Sequence, residues 1–219
     1  KALIPLKIKW VSQGSMDMLY DNELMELMVK SGCLGLVIGF ESINEENLKN
    51  MNKSSNRQKK FDKYKKEIEI LRSWGLQTWA AFTVGHDGDT IESIQETCNF
   101  AIENKFCFAA YNILMPYPGT PLYEKLKEEG RLLYDGKWWL HDEYKFNYSA
   151  ILPKNMTPDE LTEVSFWCRK KFNSPFSIFR RAFDFKTNMR TPYRFFTYLI
   201  YNPLFRKEVH KKQGMKFGN

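Results

Sequence analysis

The chain has 219 residues, 43% of them hydrophobic and 27% charged, which suits one α/β domain with an appendage and excludes a disordered chain. No apolar run approaches the ~20 residues that cross a bilayer, and residues 1–7 lack a secretory pattern. Cys33, Cys98, Cys107 and Cys168 stand 65, 9 and 61 positions apart, which excludes a disulfide framework, a zinc knuckle and a short-spaced iron–sulfur motif. A reducing, cytoplasmic setting is expected. The net charge of +7 is lopsided: residues 172–219 hold ten Lys/Arg and two Asp/Glu, leaving 23 against 24 elsewhere. The body is neutral and the tail is basic.

In chain order, residues 4–12 alternate apolar and polar and predict a strand. Asp21 is a good cap for a helix that stops at Gly32. Residues 33–40 are a continuous apolar run, the pattern of a parallel strand buried on both faces. A short helix over 45–51 and a longer one over 58–74 follow, the latter stopped by Gly75. A third strand over 76–84 leads to a helix over 90–104, and a fourth over 108–115 to a helix opened by Thr120-Pro121 and closed by Gly130. Residues 131–152 have no clear period. Thr157-Pro158-Asp159-Glu160 starts a helix reaching Phe172. One or two more helices follow, broken by Pro175, Pro192 and Pro203. The expected fold is α/β, a partial (β/α) TIM-like barrel of four parallel βα units over 1–130, with an irregular connection and helical basic/aromatic extension over 131–219.

In such sheets chemistry sits at the carboxyl ends of strands. Four segments fall there: Ser12 to Ser15, Gly39 to Ser42, Gly85 to Thr90, and Pro116 to Thr120. Glu41 and Ser42 could grip a ribose or an amino group; equally, Glu41 could pair with a neighbouring base and Ser42 cap a turn. Gly85 could admit a flat ring or be an ordinary turn glycine. Asp87 and Asp89 lack the ligand series of a calcium loop, and Asp89 or Thr90 is expected to cap the next helix. His86 is the one histidine on this rim, suited to proton transfer or substrate contact. There is no Walker loop, no Gly-x-Gly-x-x-Gly and no nucleophile elbow.

Taken in series, these segments resemble the later half of a radical S-adenosylmethionine (SAM) enzyme, and more closely its cobalamin-binding branch. Trp10 to Ser15, Asp21 to Leu27, Ser31-Gly32-Cys33, Ile38 to Ser42 and Leu48 to Lys53 follow that branch's order. Gly85 to Thr90, Pro116 to Tyr123, Gly130-Arg131-Leu132 and the helix start at Thr157 continue it. The resemblance implies that Gln13, Glu41 and Ser42 face the ribose or methionine part of SAM and that Val84 and Gly85 lie against adenine. His86, Asp87, Pro116 and Tyr117 would then face substrate. It also implies a four-iron four-sulfur cluster and cobalamin in a parent enzyme, an oxidoreductase or methyltransferase acting on a small or lipid-like molecule. The family's Cys-x-x-x-Cys-x-x-Cys loop is absent from the sequence. The chain is therefore expected to be a fragment whose missing amino-terminal half carries the cluster ligands, inactive alone. A non-catalytic α/β binding module remains an alternative. So does a protein acting through the basic tail, which could pack on the body or touch an anionic membrane peripherally; no motif supports nucleic-acid binding.

Overall fold

The computed structural model describes residues 1–43, 47 and 61–216. Its strands are β1 (Trp10–Gln13), β2 (Cys33–Glu41), β3 (Gln77–Val84) and β4 (Phe108–Ile113), all parallel and in the order β1-β2-β3-β4. Helices α1 (Asn22–Lys30), α2 (Phe61–Ser73), α3 (Ile91–Glu103) and α4 (Pro121–Glu128) alternate with them. Three more follow: α5 (Pro158–Phe172), α6 (Pro175–Ala182) and α7 (Pro192–Lys212). Strands that keep their sequence order across crossover helices are singly wound, as in a TIM-type barrel; a doubly wound sheet reverses midway. The fold is α/β, a partial TIM-like barrel with a helical extension.

Local chemistry sets most boundaries. Asp21 caps α1 by accepting from the Leu24 amide at 2.9 Å. Gly32 ends it at φ 97°, where a Cβ would run into the carbonyl oxygen of Ile8. Thr90 with Ser93, and Thr157 with Glu160, form reciprocal caps on α3 and α5. The strand expected over 4–12 is shorter, because Ile4–Leu6 is a single 3-10 turn and Lys7 is left-handed at φ 51°. Pro5 fixes φ and offers no amide to a ladder. Pro175 and Pro192 open helices, but Pro203 lies inside α7 without breaking it. The partner that Pro203 denies is the carbonyl of exposed Leu199, which water can serve. The predicted helix over 45–51 and the first residues of that over 58–74 lie outside the described residues.

Helices α1, α2, α3 and α5 cover one face of the sheet, and α7 lies against Trp79 and Phe108 on the other. On the first face Leu36, Ile38, Phe40, Phe82 and Tyr111 pack with Met25 of α1, Ile68 of α2, Cys98 of α3 and Leu161 of α5 in one core. Phe40 sits at its centre, stacked on Phe82 and Phe106 at 5.5 and 5.2 Å. On the other face Val37 is half-buried and Gly39 exposed, so β2 is not buried on both sides as its apolar run suggests. The β4 partner is α5, not the helix that directly follows the strand. Ser165 and Arg169 of α5 both donate to the Tyr111 carbonyl, covering backbone that an end strand would leave unpaired. Burial lowers the Arg169 guanidinium to about 10.

The extension clasps the amino ends of the strands. Arg181, fully buried, donates to the carbonyls of Phe106, Cys107 and Phe172 and to Asn202 Oδ1. The Phe172 ring lies 3.7 Å from its guanidinium carbon. Arg194 donates to the carbonyls of Cys33 and Leu34, Arg190 to that of Trp74, and Arg206 to that of Asn173. A guanidinium carries five fixed donors and can serve several carbonyls at once. Three of the tail's cations, Arg181, Arg190 and Arg194, therefore hold the tail to the body.

Candidate functional site

On the other face, parallel pairing sets residues in rows. Gln13 pairs with Val37, Val37 with Trp79 and Trp79 with Phe108, giving a row with two aromatic rings. Gly39, Ala81 and Ala110 form the next row, all small. Thr83 and Asn112 pair above them, at the carboxyl ends. Room is thus left between an aromatic floor and a polar rim.

Glu41 joins this rim by an unusual path. The β2–β3 register shifts between Gly39 and Glu41, and Glu41 is left-handed at φ 62°. Such a backbone costs a non-glycine residue about 1–2 kcal/mol, and bulges often re-aim a side chain next to a site. The result sets Glu41 Oε2 2.8 Å from the Thr83 hydroxyl, which donates to it. Gln13 is exposed at the end of β1.

Ser42 belongs to a buried network behind the rim. Its hydroxyl accepts from Asn47 Nδ2 at 3.4 Å, and the same nitrogen donates to Asp89 Oδ1 at 2.6 Å. Asp89 Oδ2 accepts from the amides of Gly85 and His86 at 2.8 and 3.0 Å. Asn47 Oδ1 accepts from the Gly88 amide at 3.1 Å. Burial pushes the Asp89 carboxyl up, against the pull of His86 and of these hydrogen bonds. Thr90 alone caps α3; Asp89, expected as an alternative cap, instead ties β2 and β3 together behind the rim.

The remaining candidates separate. Val84 is buried on the helix-covered side, and its carbonyl accepts from the Leu114 amide. Gly85 is left-handed at φ 99°, and a Cβ there would press on the Leu161 side chain of α5, so the glycine admits this helix. His86 is half-buried beside Asp89. Asp87 meets Lys125, Arg131 and Lys154 at 3.0, 2.8 and 3.1 Å. Partial burial would raise its carboxyl, but the hydrogen bonds from these three cations outweigh that and hold it well below the usual carboxylate range. Pro116 is buried and its carbonyl accepts from Trp138 Nε1, while Tyr117 is exposed with its ring 6.0 Å from that indole. The structure thus joins Glu41 to Thr83, and Ser42 to the Gly85–His86 loop, but sets Asp87 in an ion cluster and Pro116–Tyr117 against the 131–152 segment.

Sequence reasoning missed Thr83, Asn112, Asn47 and the small row Gly39–Ala81–Ala110. The small row had a signal, since β3 and β4 both carry an Ala-Ala pair between aromatic residues and β2 carries Gly39 between Ile38 and Phe40. Asn47 had none, because its role depends on Asp89, 42 positions away.

Over the rows lies a cleft of about 420 Å³ between β3–β4 and α7, lined by Trp79, Ala81, Phe108, Ala110, Asn112, Phe146 and Phe205 among others. The rim's carboxylate, hydroxyl and amide, set over small residues, match the hydroxyl and ammonium groups of SAM. The cysteines do not match a cluster. All four are buried; Cys98 and Cys168 meet between α3 and α5, where the Cys98 thiol donates to the Cys168 carbonyl at 3.6 Å, but two sulfurs do not make the set of three that a cluster needs. Burial pushes the Cys33 thiol up to about 11 and raises that of Cys107 too, whereas cluster ligands are thiolates. Among the described residues no group of His, Cys, Asp or Glu could hold a metal ion.

These features define a singly wound α/β protein with a polar site at the carboxyl ends of its strands. The family model "Radical SAM superfamily" matches residues 3–101. The chain is 32% identical over 163 residues to the bacteriochlorophyllide d C-12(1)-methyltransferase of Chlorobaculum tepidum, covering 74% of this chain and 34% of that protein. It is 28% identical over 161 residues to the anaerobic magnesium-protoporphyrin IX monomethyl ester cyclase of Cereibacter sphaeroides, covering 73% of this chain and 25% of that one. The structure of the radical SAM methyltransferase TsrM from Kitasatospora setae, with cobalamin and a [4Fe-4S] cluster bound, aligns at 17% identity and a TM-score of 0.47 over 58% of this chain and 26% of that one. The chain belongs to the radical SAM superfamily, whose enzymes use SAM with a four-iron four-sulfur cluster, and it spans about a third or less of the curated relatives it matches.

Proposed function

We propose that these residues form one side of the SAM cleft and the adjoining substrate wall of a radical SAM enzyme that transfers a methyl group, with cobalamin, or abstracts hydrogen. The observation that carries this is the Glu41–Thr83 rim above the Gly39–Ala81–Ala110 row. Glu41 and Thr83 would hold a ribose diol or an ammonium, with Asn112 alongside and Gln13 at the β1 end. The Asp89–Asn47–Ser42 network would keep the rim fixed by satisfying loop amides that would otherwise need water. When bound and reduced, SAM supplies the radical or the methyl group; the cluster ligands belong to residues other than the four buried cysteines.

The cleft runs from the small row and Asn112 down to the aromatic row and α7, and this lower part favours a large, mainly apolar substrate. The two relatives are named for a bacteriochlorophyllide and a protoporphyrin ester, and flat rings of that kind suit Trp79, Phe108 and Phe146. SAM titrated calorimetrically into protein containing these residues tests the reading. Ala81→Leu should fill the small row and abolish binding, while Lys30→Ala on α1 leaves it unchanged. Undiminished binding by Ala81→Leu overturns the proposal.

A further inference from the structure

Helices α6 and α7 are bound to the body on one side and open on the other. Arg194, Tyr198 and Asn202 recur every four residues and are buried. On the outward side of α7, Tyr193, Phe196, Ile200 and Leu204 are 54, 63, 60 and 52% exposed, three or four positions apart, which makes one stripe along the helix. Phe176 and Phe179 of the neighbouring α6 are 76 and 64% exposed. So much exposed aromatic and aliphatic surface on adjacent helices exceeds the scattered apolar residues of an ordinary surface.

Charge selects the occupant. Lys207 and Lys211 continue the α7 stripe, and Arg180 lies next to Phe179; all three are exposed. The acidic residues of 172–216 are Asp184 and Glu208. Asp184 already meets Arg72 at 2.9 Å, and Glu208 meets Lys212 at 3.1 Å. The outward face is therefore apolar with a net positive charge: Glu208 offsets only part of Lys207, Lys211 and Lys212, and Glu103 of α3 lies in the small pocket beside Phe176 and Arg180. A second copy would bring like charges together, whereas an anionic lipid surface offers hydrocarbon to the rings and phosphate to the lysines. No helix among the described residues is long and apolar enough to cross a membrane, so contact would be peripheral.

We propose that the outward stripe of α7, with Phe176 and Phe179 of α6, docks on an anionic lipid surface. Because the tail grips the carbonyls of Cys33, Leu34, Phe106 and Cys107 at the amino ends of β2 and β4, docking leaves the opposite rim accessible. The inference is independent of the chemistry at that rim.

Co-sedimentation of the full chain with vesicles of phosphatidylcholine alone, or of phosphatidylcholine with phosphatidylserine, tests it. Binding is expected only to the anionic vesicles, and it should weaken as salt rises. Lys207→Glu with Lys211→Glu should reduce it at least tenfold, since each surface cation adds ~1 kcal/mol. Phe196→Ser with Ile200→Ser should reduce it comparably. These side chains are exposed, so unchanged thermal melts will confirm that the variants fold. Equal binding to both vesicles, no binding to either, or a dimer by light scattering that Phe196→Ser/Ile200→Ser abolishes would each overturn the proposal.

Discussion

Glu41 holds an unfavourable backbone conformation to place its carboxylate beside Thr83. Strain of this kind persists where the surrounding structure fixes it, often at a functional position. Glu41→Gln keeps the shape and removes the charge; a hydrogen bond to a charged group contributes roughly 1.5–3 kcal/mol. SAM affinity measured calorimetrically should fall about tenfold or more, with the melting temperature nearly unchanged. A lower melting temperature with unaltered affinity would make Glu41 a structural residue. Asp87 gives a different signature. Its carboxyl is held low by Lys125, Arg131 and Lys154 despite partial burial, so it contributes stability above the ordinary carboxylate pKa and loses it as pH falls towards the folded-state value. Asp87→Asn should be less stable than the parent at neutral pH, by about 1–3 kcal/mol, and the gap should narrow on acidification. Paired denaturant titrations at pH 7 and pH 3 check this; a gap of constant size would refute it.

At the scale of elements, the docking of α5, α6 and α7 rests on arginines that meet backbone carbonyls. Arg181 has neutral acceptors for its donors, and burial lowers its pKa. Arg181→Leu would leave several buried carbonyls unpaired, each at ~1–3 kcal/mol, and should loosen the extension before the sheet. Limited proteolysis should then cut within 183–191 while the core stays intact. Resistance equal to that of the parent would show that apolar packing around Tyr198 suffices. Arg169→Met is the matching change at β4, where it would uncover the Tyr111 carbonyl. The caps and helix stops here were legible in sequence because each acts within four residues. The partner of β4 was not, because α5 outcompetes the nearer α4 only once its apolar face meets the finished sheet.

For the molecule as a whole, the four cysteines are buried, and only Cys98 and Cys168 meet one another. Anaerobic reconstitution of this chain with iron and sulfide should leave metal content far below one cluster per chain, measured with protein quantified by amino-acid analysis. A stoichiometric cluster would contradict the assignment of its ligands to other residues.

The superfamily and the succession of strands and helices were set by sequence alone, because ordered motifs, period and caps depend on residues close in the chain. Strand ends pointed to Glu41, which stands at the rim, and to Ser42, which lies buried behind it. Only the tertiary structure decided what each side chain meets. It turned Asp87 into an ion-cluster anchor, made Gly85 a seat for Leu161, and gave Arg194 the Cys33 carbonyl 161 positions away. The physical reason is that every residue carries a backbone carbonyl, so no side-chain identity marks in advance which one a distant arginine will reach.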